Sequence, residues 1–273
     1  MATRAVGRPA PPPRARLLSG RMLTGLAIAA GVVALHVYAW QETDFSPTAL
    51  VNGWEGIVDF VGQAVPPDLD WDAVLRPALE ASVVTFCIGL LGTTFSIPFA
   101  LALGVLGART TTPGIAVYQA ARSVLSFLRA VPDVVFALIF VTAVGLGPFP
   151  GVLALIVHNT GVMGKLWSEA IEEVDPGPVD ALRTNGAGQT QVVANAVLPA
   201  VLPQFVGLLL YRLDVNVRAS LVLGLVGAGG IGFLINQSIK LFQFDRMLTQ
   251  ILIVLALVVV VDNISAFLRK RAT

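Results

Sequence analysis

The sequence predicts an all-α integral membrane fold of six transmembrane helices, and three observations carry that prediction. Charged side chains make up 13% of the 273 residues and apolar ones 55%, with a mean hydropathy of +0.78. A soluble domain carries about 25% charged residues, so this chain has too little polar surface to cover itself in water. Apolar runs long enough to cross a bilayer recur along it, and Lys and Arg collect on alternate connections between them. One cysteine, Cys87, leaves no internal disulfide framework, and two histidines supply little for a metal cluster. The net charge of +1 implies no partner by itself, and nothing in its distribution points to nucleic acid.

Residues 1–21 hold Arg4, Arg8, Arg14, Arg16 and Arg21, a proline run and no acid. With nothing to pack, this reads as a disordered basic tail. Residues 22–40 carry no formal charge and span ~28 Å as a helix, enough for a first transmembrane segment. A cleaved signal peptide is the rival reading, but the run is long for an h-region and no A-x-A site follows. Residues 41–76 reverse the charge: Glu42, Asp44, Glu55, Asp59, Asp68, Asp70 and Asp72 come before any Lys or Arg. Ser46 and Pro47 offer a helix start, after which Leu50, Trp54, Ile57, Val58 and Val61 recur at helical spacing. That fits a short interfacial helix outside the membrane, or one packed on neighbouring spans. The run of Asp68, Asp70 and Asp72 reads as a solvated loop before a metal site.

Five further spans are expected within a core of residues 77–268. Residues 77–108 carry Glu80 alone; residues 114–145 carry Arg122, Arg129 and Asp133, with Pro132 placed to kink the helix. Residues 152–167 hold His158 and Asn159 mid-way, residues 203–226 follow a polar stretch, and residues 248–267 precede Arg269-Lys270-Arg271 in a closing tail of 269–273. Six spans place the arginine tail, Arg109, the polar 168–195 stretch and the last basic cluster on one side, and the acidic 41–76 segment on the other. That is the positive-inside pattern with both termini cytoplasmic.

The run SLVLGLVGAGGIGFL spaces Gly227, Gly229 and Gly232 as G-x-G-x-x-G, the dinucleotide fingerprint. Such a site needs an acidic residue about 20 positions on, where this chain has Leu252 inside an uncharged run. The glycines are better read as a tight turn and a close helix approach, as small residues serve in membranes.

The polar stretch is the informative one. Asp175-Pro176 and Pro178 open a short helix, Asn185-Gly186 tolerates the left-handed backbone that ends it, and Gln189 or Thr190 opens a second helix running to Leu198-Pro199. Residues 175–199 are thus expected to form a helical elbow below the membrane, shaped to enter a groove on a cytosolic partner. The segment resembles the EAA loop of ABC-importer permeases, E-A-A-x-x-x-G, then nine residues, then I-x-L-P. Asp180-Ala181-Leu182 stands for E-A-A, Gly186-Ala187 follows at the family spacing, and Leu198-Pro199 closes it; the departures are Asp180, Leu182 and Ala196. More narrowly, FLRAVPDVVFALIFVTAVGLGPFPGVLAL, EAIEEVDPGPVDALRTNGA, VLPQFVGLLLYRLDVNVRAS and LGLVGAGGIG resemble the phosphonate-importer permeases. The resemblance implies a type I importer fold, a second permease, identical or paralogous, two cytoplasmic ATPase subunits that hold ATP and Mg, and an extracytoplasmic phosphonate- or phosphate-binding protein. This chain has no G-x-x-x-x-G-K-[ST] loop of its own, so no cofactor and no catalytic residue is expected on it.

Charges inside the membrane supply the substrate-path candidates. If the helix starts near Pro203, Arg212 sits ~13 Å along it, well inside the hydrocarbon. Arg212 and Asn216 share one face, Asp214 and Arg218 another. An arginine fork suits a phosphorus oxyanion; equally, the charges could form a structural ion pair. The mixed reading has Asp214 neutralising Arg218 and Arg212 left for the path or a partner on another span. His158 and Asn159 bond across helices or line the path; Arg122 and Arg129 snorkel to lipid headgroups, and Lys165 anchors the inner interface. The alternatives are a permease for another small solute, a secondary transporter, which would show inverted repeats absent here, and an intramembrane enzyme, for which no nucleophile or metal spacing exists.

Overall fold

The computed structural model describes residues 20–272. The expected basic tail of residues 1–21 therefore lies almost wholly outside the described residues. No strand occurs among them, and the helices fall into two compact units that meet in sequence at Val58–Asp59.

In the first unit, α1 (Gly20–Glu42) has apolar side chains exposed all round and none buried, as a lipid-facing helix requires. Its end turns at Asp44, where Trp40 packs edge-on to Phe45 at 4.6 Å. Ser46 precedes α2 (Pro47–Asn52) as expected, but its hydroxyl meets Thr48 Oγ1 at 2.7 Å instead of capping the backbone. The helix expected across residues 47–61 is broken at Gly53, after which α3 (Trp54–Ala64) begins.

The second unit is the helical core. Its α-helices are α4 (Arg76–Leu106), α5 (Ile115–Ala130), α6 (Asp133–Val144), α7 (Pro148–Glu172), α8 (Pro176–Thr184), α9 (Gln189–Val192), α10 (Leu198–Leu225), α11 (Gly230–Lys240) and α12 (Phe244–Ala272). The acidic loop before α4 is less solvated than expected. Asp68 receives Arg246 Nε at 3.3 Å, its carbonyl accepts from Thr249, and Asp70 caps the turn at Ala73. No metal-binding group of residues occurs among the described residues.

Four helical stretches are long and apolar enough to cross a membrane: Met22–Asn52, Trp71–Leu106, Gln189–Lys240 and Phe244–Leu268. A fifth is formed by α5 and α6 taken together. Pro132 does more than kink this segment, for the two helices meet at 85°. That makes four or five spans where the sequence predicts six, and α7, expected to make the sixth, is not among them. It packs against α4, α5, α6 and α10, so it faces protein on most sides and tolerates His158, Asn159 and Lys165 in its length.

Close approach within the core rests on small residues. The α4 face that meets α7 and α10 carries Gly89, Gly92, Thr93, Ser96, Ala100 and Gly104. A Cβ on Gly89 would lie 2.7 Å from Val217 Cγ2, and one on Gly92 2.5 Å from Leu155 Cβ. Without a hydrophobic driving force between helices in lipid, such dispersion contact supplies much of the association.

Gly227, Gly229 and Gly230 all take positive φ, +100°, +73° and +69°. They turn the chain from α10 into α11, and Gly232 then lies so close to the Leu221 carbonyl that no side chain fits. Thr85 Oγ1 accepts from Ile231 N at 2.9 Å, fixing this turn to α4. The turn-and-contact reading of these glycines holds.

Candidate functional site

Two apolar clusters fill the core, and a polar layer separates them. One contains Ile88, Phe136, Leu155 and Leu223; the other contains Ala100, Met163, Trp167, Ile171 and Phe205. Between them in sequence on α4, α7 and α10 lie Thr93, Ser96, Asn159, Arg212 and Asn216, each buried. Arg212 Nε donates to Asn159 Oδ1 at 2.8 Å, and Arg212 Nη2 donates to Asn216 Oδ1 at 3.2 Å. Asn216 Nδ2 donates to Thr93 Oγ1 at 2.8 Å and Asn159 Nδ2 to Ser96 Oγ at 2.6 Å. The Thr93 and Ser96 hydroxyls in turn donate hydrogen bonds to the Gly89 and Thr93 carbonyls of α4.

Arg212 is therefore held by neutral amides. Among the described residues no carboxylate forms an ion pair with it, although Asp133 at the α5–α6 break lies within Coulombic range. A guanidinium in a span is disfavoured by about 2.5–3.5 kcal/mol, and the amide carbonyls offset part of this without cancelling the charge. α10 also starts earlier than Pro203, so Arg212 lies ~21 Å along it. A wide π turn at Val193–Val197 joins α9 to α10, where Pro199 and Pro203 lack the N–H groups of a regular helix. The second arm of the elbow is thus continuous with α10 and does not end at Leu198-Pro199.

Asp214 pairs with Arg218 one turn on, as the spacing predicts. Their exposures differ sharply: Asp214 is 5% exposed and Arg218 51%. Asp214 Oδ1 is buried with no partner. His158 Nδ1 lies 3.1 Å from the Val131 carbonyl, so it braces the break before Pro132 while Asn159, the next residue, belongs to the polar layer.

The elbow matches its sequence signals closely. Asp175 caps α8 by accepting from Gly177 N at 3.0 Å. Gly186 has φ +81°, Ala187 N donates to the Leu182 carbonyl at 3.1 Å and Gly186 N to that of Arg183 at 3.0 Å. This is a Schellman stop. Leu182, Ala187 and Leu198 are half-buried against the inner cluster, whereas Asp180, Ala181, Gly186 and Pro199 are exposed. One side of the elbow is fastened to the helices and the other is free.

Glu172, at the end of α7 beyond its apolar stretch, was not singled out by the sequence. Its carboxylate accepts from Arg109 N at 2.8 Å and Arg122 Nη2 at 2.9 Å, while Arg122 Nε holds the Gly107 carbonyl at 2.8 Å. Burial pushes the Glu172 carboxyl up, but the Arg109 amide and the Arg122 guanidinium outweigh it and hold the group below its ordinary value. Arg122 is thus an internal anchor and not a snorkelling side chain; Arg129 is exposed, and Lys165 pairs with Glu169 at 2.8 Å. The same loop reaches the elbow, since Gln189 Nε2 and Arg183 Nη2 donate to the Thr110 carbonyl at 3.1 and 3.4 Å.

Apolar helices around a polar layer, with a half-free helical elbow hung from α7 and α10, define a membrane-embedded transport subunit rather than an enzyme. The chain belongs to the family of binding-protein-dependent transport system inner membrane components, whose model matches residues 97–273. It is 42% identical over 252 residues to the phosphite transport system permease protein PtxC of Stutzerimonas stutzeri, covering 92% of this chain and 90% of that one. It is 40% identical over 237 residues to the phosphate-import permease protein PhnE of Mycolicibacterium smegmatis, covering 87% of this chain and 44% of that longer one. Among solved structures, it is similar to a chain of the inward-facing MetNI methionine ABC transporter, with a TM-score of 0.59 over 73% of this chain and 96% of that chain at 23% identity. That likeness bears on the fold, a type I importer permease.

Proposed function

We propose that this chain is the permease subunit of an ATP-driven importer for a phosphorus oxyanion: phosphonate, phosphite or phosphate. The observation that carries the substrate class is the buried Arg212, which pairs with no carboxylate among the described residues, in a chain 42% and 40% identical to relatives named for phosphite transport and phosphate import. A positive charge set in low dielectric lowers the barrier for a tetrahedral anion crossing between apolar clusters. In this reading the chain crosses six times, with both termini and the elbow in the cytoplasm and the acidic segment before α4 outside. The exposed side of the elbow, Asp180, Ala181 and Gly186, enters a groove on an ATPase subunit, which holds ATP and Mg. Two such ATPases, a second permease and an extracytoplasmic binding protein complete the assembly.

Coupling requires that the ATPase bind the elbow differently in its two nucleotide states. The elbow is fixed to α10 through a continuous helix and to the α4–α5 loop through Thr110, so its displacement moves the helices that carry the polar layer. The test is ATP hydrolysis by the reconstituted complex with its binding protein, in the presence of methylphosphonate, phosphite or phosphate. Stimulation by at least one anion supports the reading. Equal basal rates with all three would favour a permease for another small solute, and uptake that persists without the ATPase and collapses with the proton gradient would replace the reading with the secondary-transport alternative.

A further inference from the structure

α10 carries a second polar feature, on the face opposite its buried one. Gln204, Tyr211 and Arg218 are all exposed and stand seven residues apart. Two helical turns separate each pair, so they form one line of ~21 Å along the helix. Tyr211 is 47% exposed and the Arg218 side chain 51%. The middle of α4 exposes Phe95 and Phe99 and that of α12 Leu255 and Val259, with Asp262 and Asn263 exposed only towards the end of α12. A half-exposed guanidinium within a membrane span does not face acyl chains; it faces water or protein.

We infer that the Gln204–Tyr211–Arg218 line is the water-exposed wall of the translocation path, with Arg218 as its anion-contacting cation and Arg212 a buried charge behind it. This rests on the transport reading above and deepens it by naming the contacting residues. An amide, a phenol and a guanidinium all donate hydrogen bonds, and a tetrahedral phosphorus oxyanion offers mostly acceptor oxygens. Asp214 tempers Arg218, leaving a net charge of +1 over Arg212, Asp214 and Arg218 (two arginines less one aspartate). Conduction asks for such a balance, because an anion must be drawn in and also released.

Thiol accessibility in the full membrane complex tests the wall independently of the solute carried. In a Cys87→Ser background, Gln204→Cys, Tyr211→Cys and Arg218→Cys are compared with Phe95→Cys and Leu255→Cys. A membrane-impermeant sulfonated methanethiosulfonate should modify the first three about tenfold faster or more. At Tyr211→Cys the anionic reagent should outrun a cationic one after correction for their rates with free thiol. Arg218→Gln should abolish that preference and Arg218→Lys should keep it, which separates charge from misfolding. Labelling of the α10 positions no faster than positions 95 and 255 overturns the inference. So does a preference that Arg218→Gln leaves unchanged, or a dry Tyr211→Cys that forms a disulfide with a second copy. Because no transported solute enters the assay, the wall can stand with the oxyanion assignment lost, and can fall with that assignment intact.

Discussion

Arg212 Nε and Asn159 Oδ1 meet at 2.8 Å across α10 and α7, a buried cation held by a neutral amide. Had the partner been a carboxylate, the pair would be a neutral structural rivet. With an amide, the helices are joined and the charge survives. Asn159→Asp therefore separates the two roles. It should keep assembly and shift stability by no more than about 1 kcal/mol, while lowering anion uptake about tenfold, roughly the effect of 1.4 kcal/mol on a barrier. Asn159→Leu should instead destabilise by about 1–3 kcal/mol, because Arg212 Nε loses its acceptor and Ser96 Oγ its donor while both stay buried. Unfolding in detergent and uptake by proteoliposomes check the pair; uptake unaffected by Asn159→Asp would make Arg212 purely structural.

Gly186 has open space around its Cα, so only its backbone conformation, φ +81°, opposes a side chain. A β-branched residue held in that region is disfavoured by about 1–3 kcal/mol, whereas asparagine tolerates it. Gly186→Val should lose co-purification of the ATPase or its coupling to transport, and Gly186→Asn should retain both. Equal behaviour of the two variants would show that the bend is not what the ATPase reads.

Much of this was legible in the sequence for a plain reason. Asp175-Pro176, Asn185-Gly186 and the glycines after Leu225 are local signals, each acting within a turn of itself, and the structure places each where its chemistry demands. Asp214 with Arg218 is likewise a one-turn relation. What escaped was set by packing between distant segments. Thr93 and Ser96 looked like ordinary small residues of an apolar span, and nothing local says that Asn216 and Asn159 will meet them. Glu172 carries no local signal because its partners, Arg109 and Arg122, lie on other elements. The break at Pro132 was visible, but its 85° angle depends on α7 lying against it. The exposed line through Tyr211 could be counted off by sevens, yet only the burial of the opposite face shows that it is free.

Gly232 and the Leu221 carbonyl oxygen leave no room for a methyl group, and the obstruction is backbone, which cannot swing aside. Gly232→Ala should cost about 1–3 kcal/mol by overpacking. Gly25→Ala and Gly31→Ala in α1 meet nothing within 4 Å and should be neutral or stabilising by up to about 1 kcal/mol. Detergent unfolding of the three variants decides it, and an unaffected Gly232→Ala would deny the close α10–α11 approach its structural weight.

Glu172 should make stability depend on acid in a predictable direction. Its folded-state carboxyl lies below the ordinary value because the Arg109 amide and Arg122 guanidinium hold the ionised form despite burial. Such a group stabilises fully above the unfolded pKa, about 4.3 for glutamate, and the contribution is lost as pH falls through the depressed folded value. Glu172→Gln removes the charge at every pH and should cost about 1–2 kcal/mol near neutrality, the worth of a hydrogen-bonded charge with partial exposure. The gap between wild type and variant should stay constant from pH ~7 to ~5, narrow through the carboxylate range and close below it. A gap that widens on acidification would mean that the Arg109 and Arg122 contacts do not favour the ionised carboxylate. The α4–α5 loop would then reach the elbow without an electrostatic anchor at the end of α7.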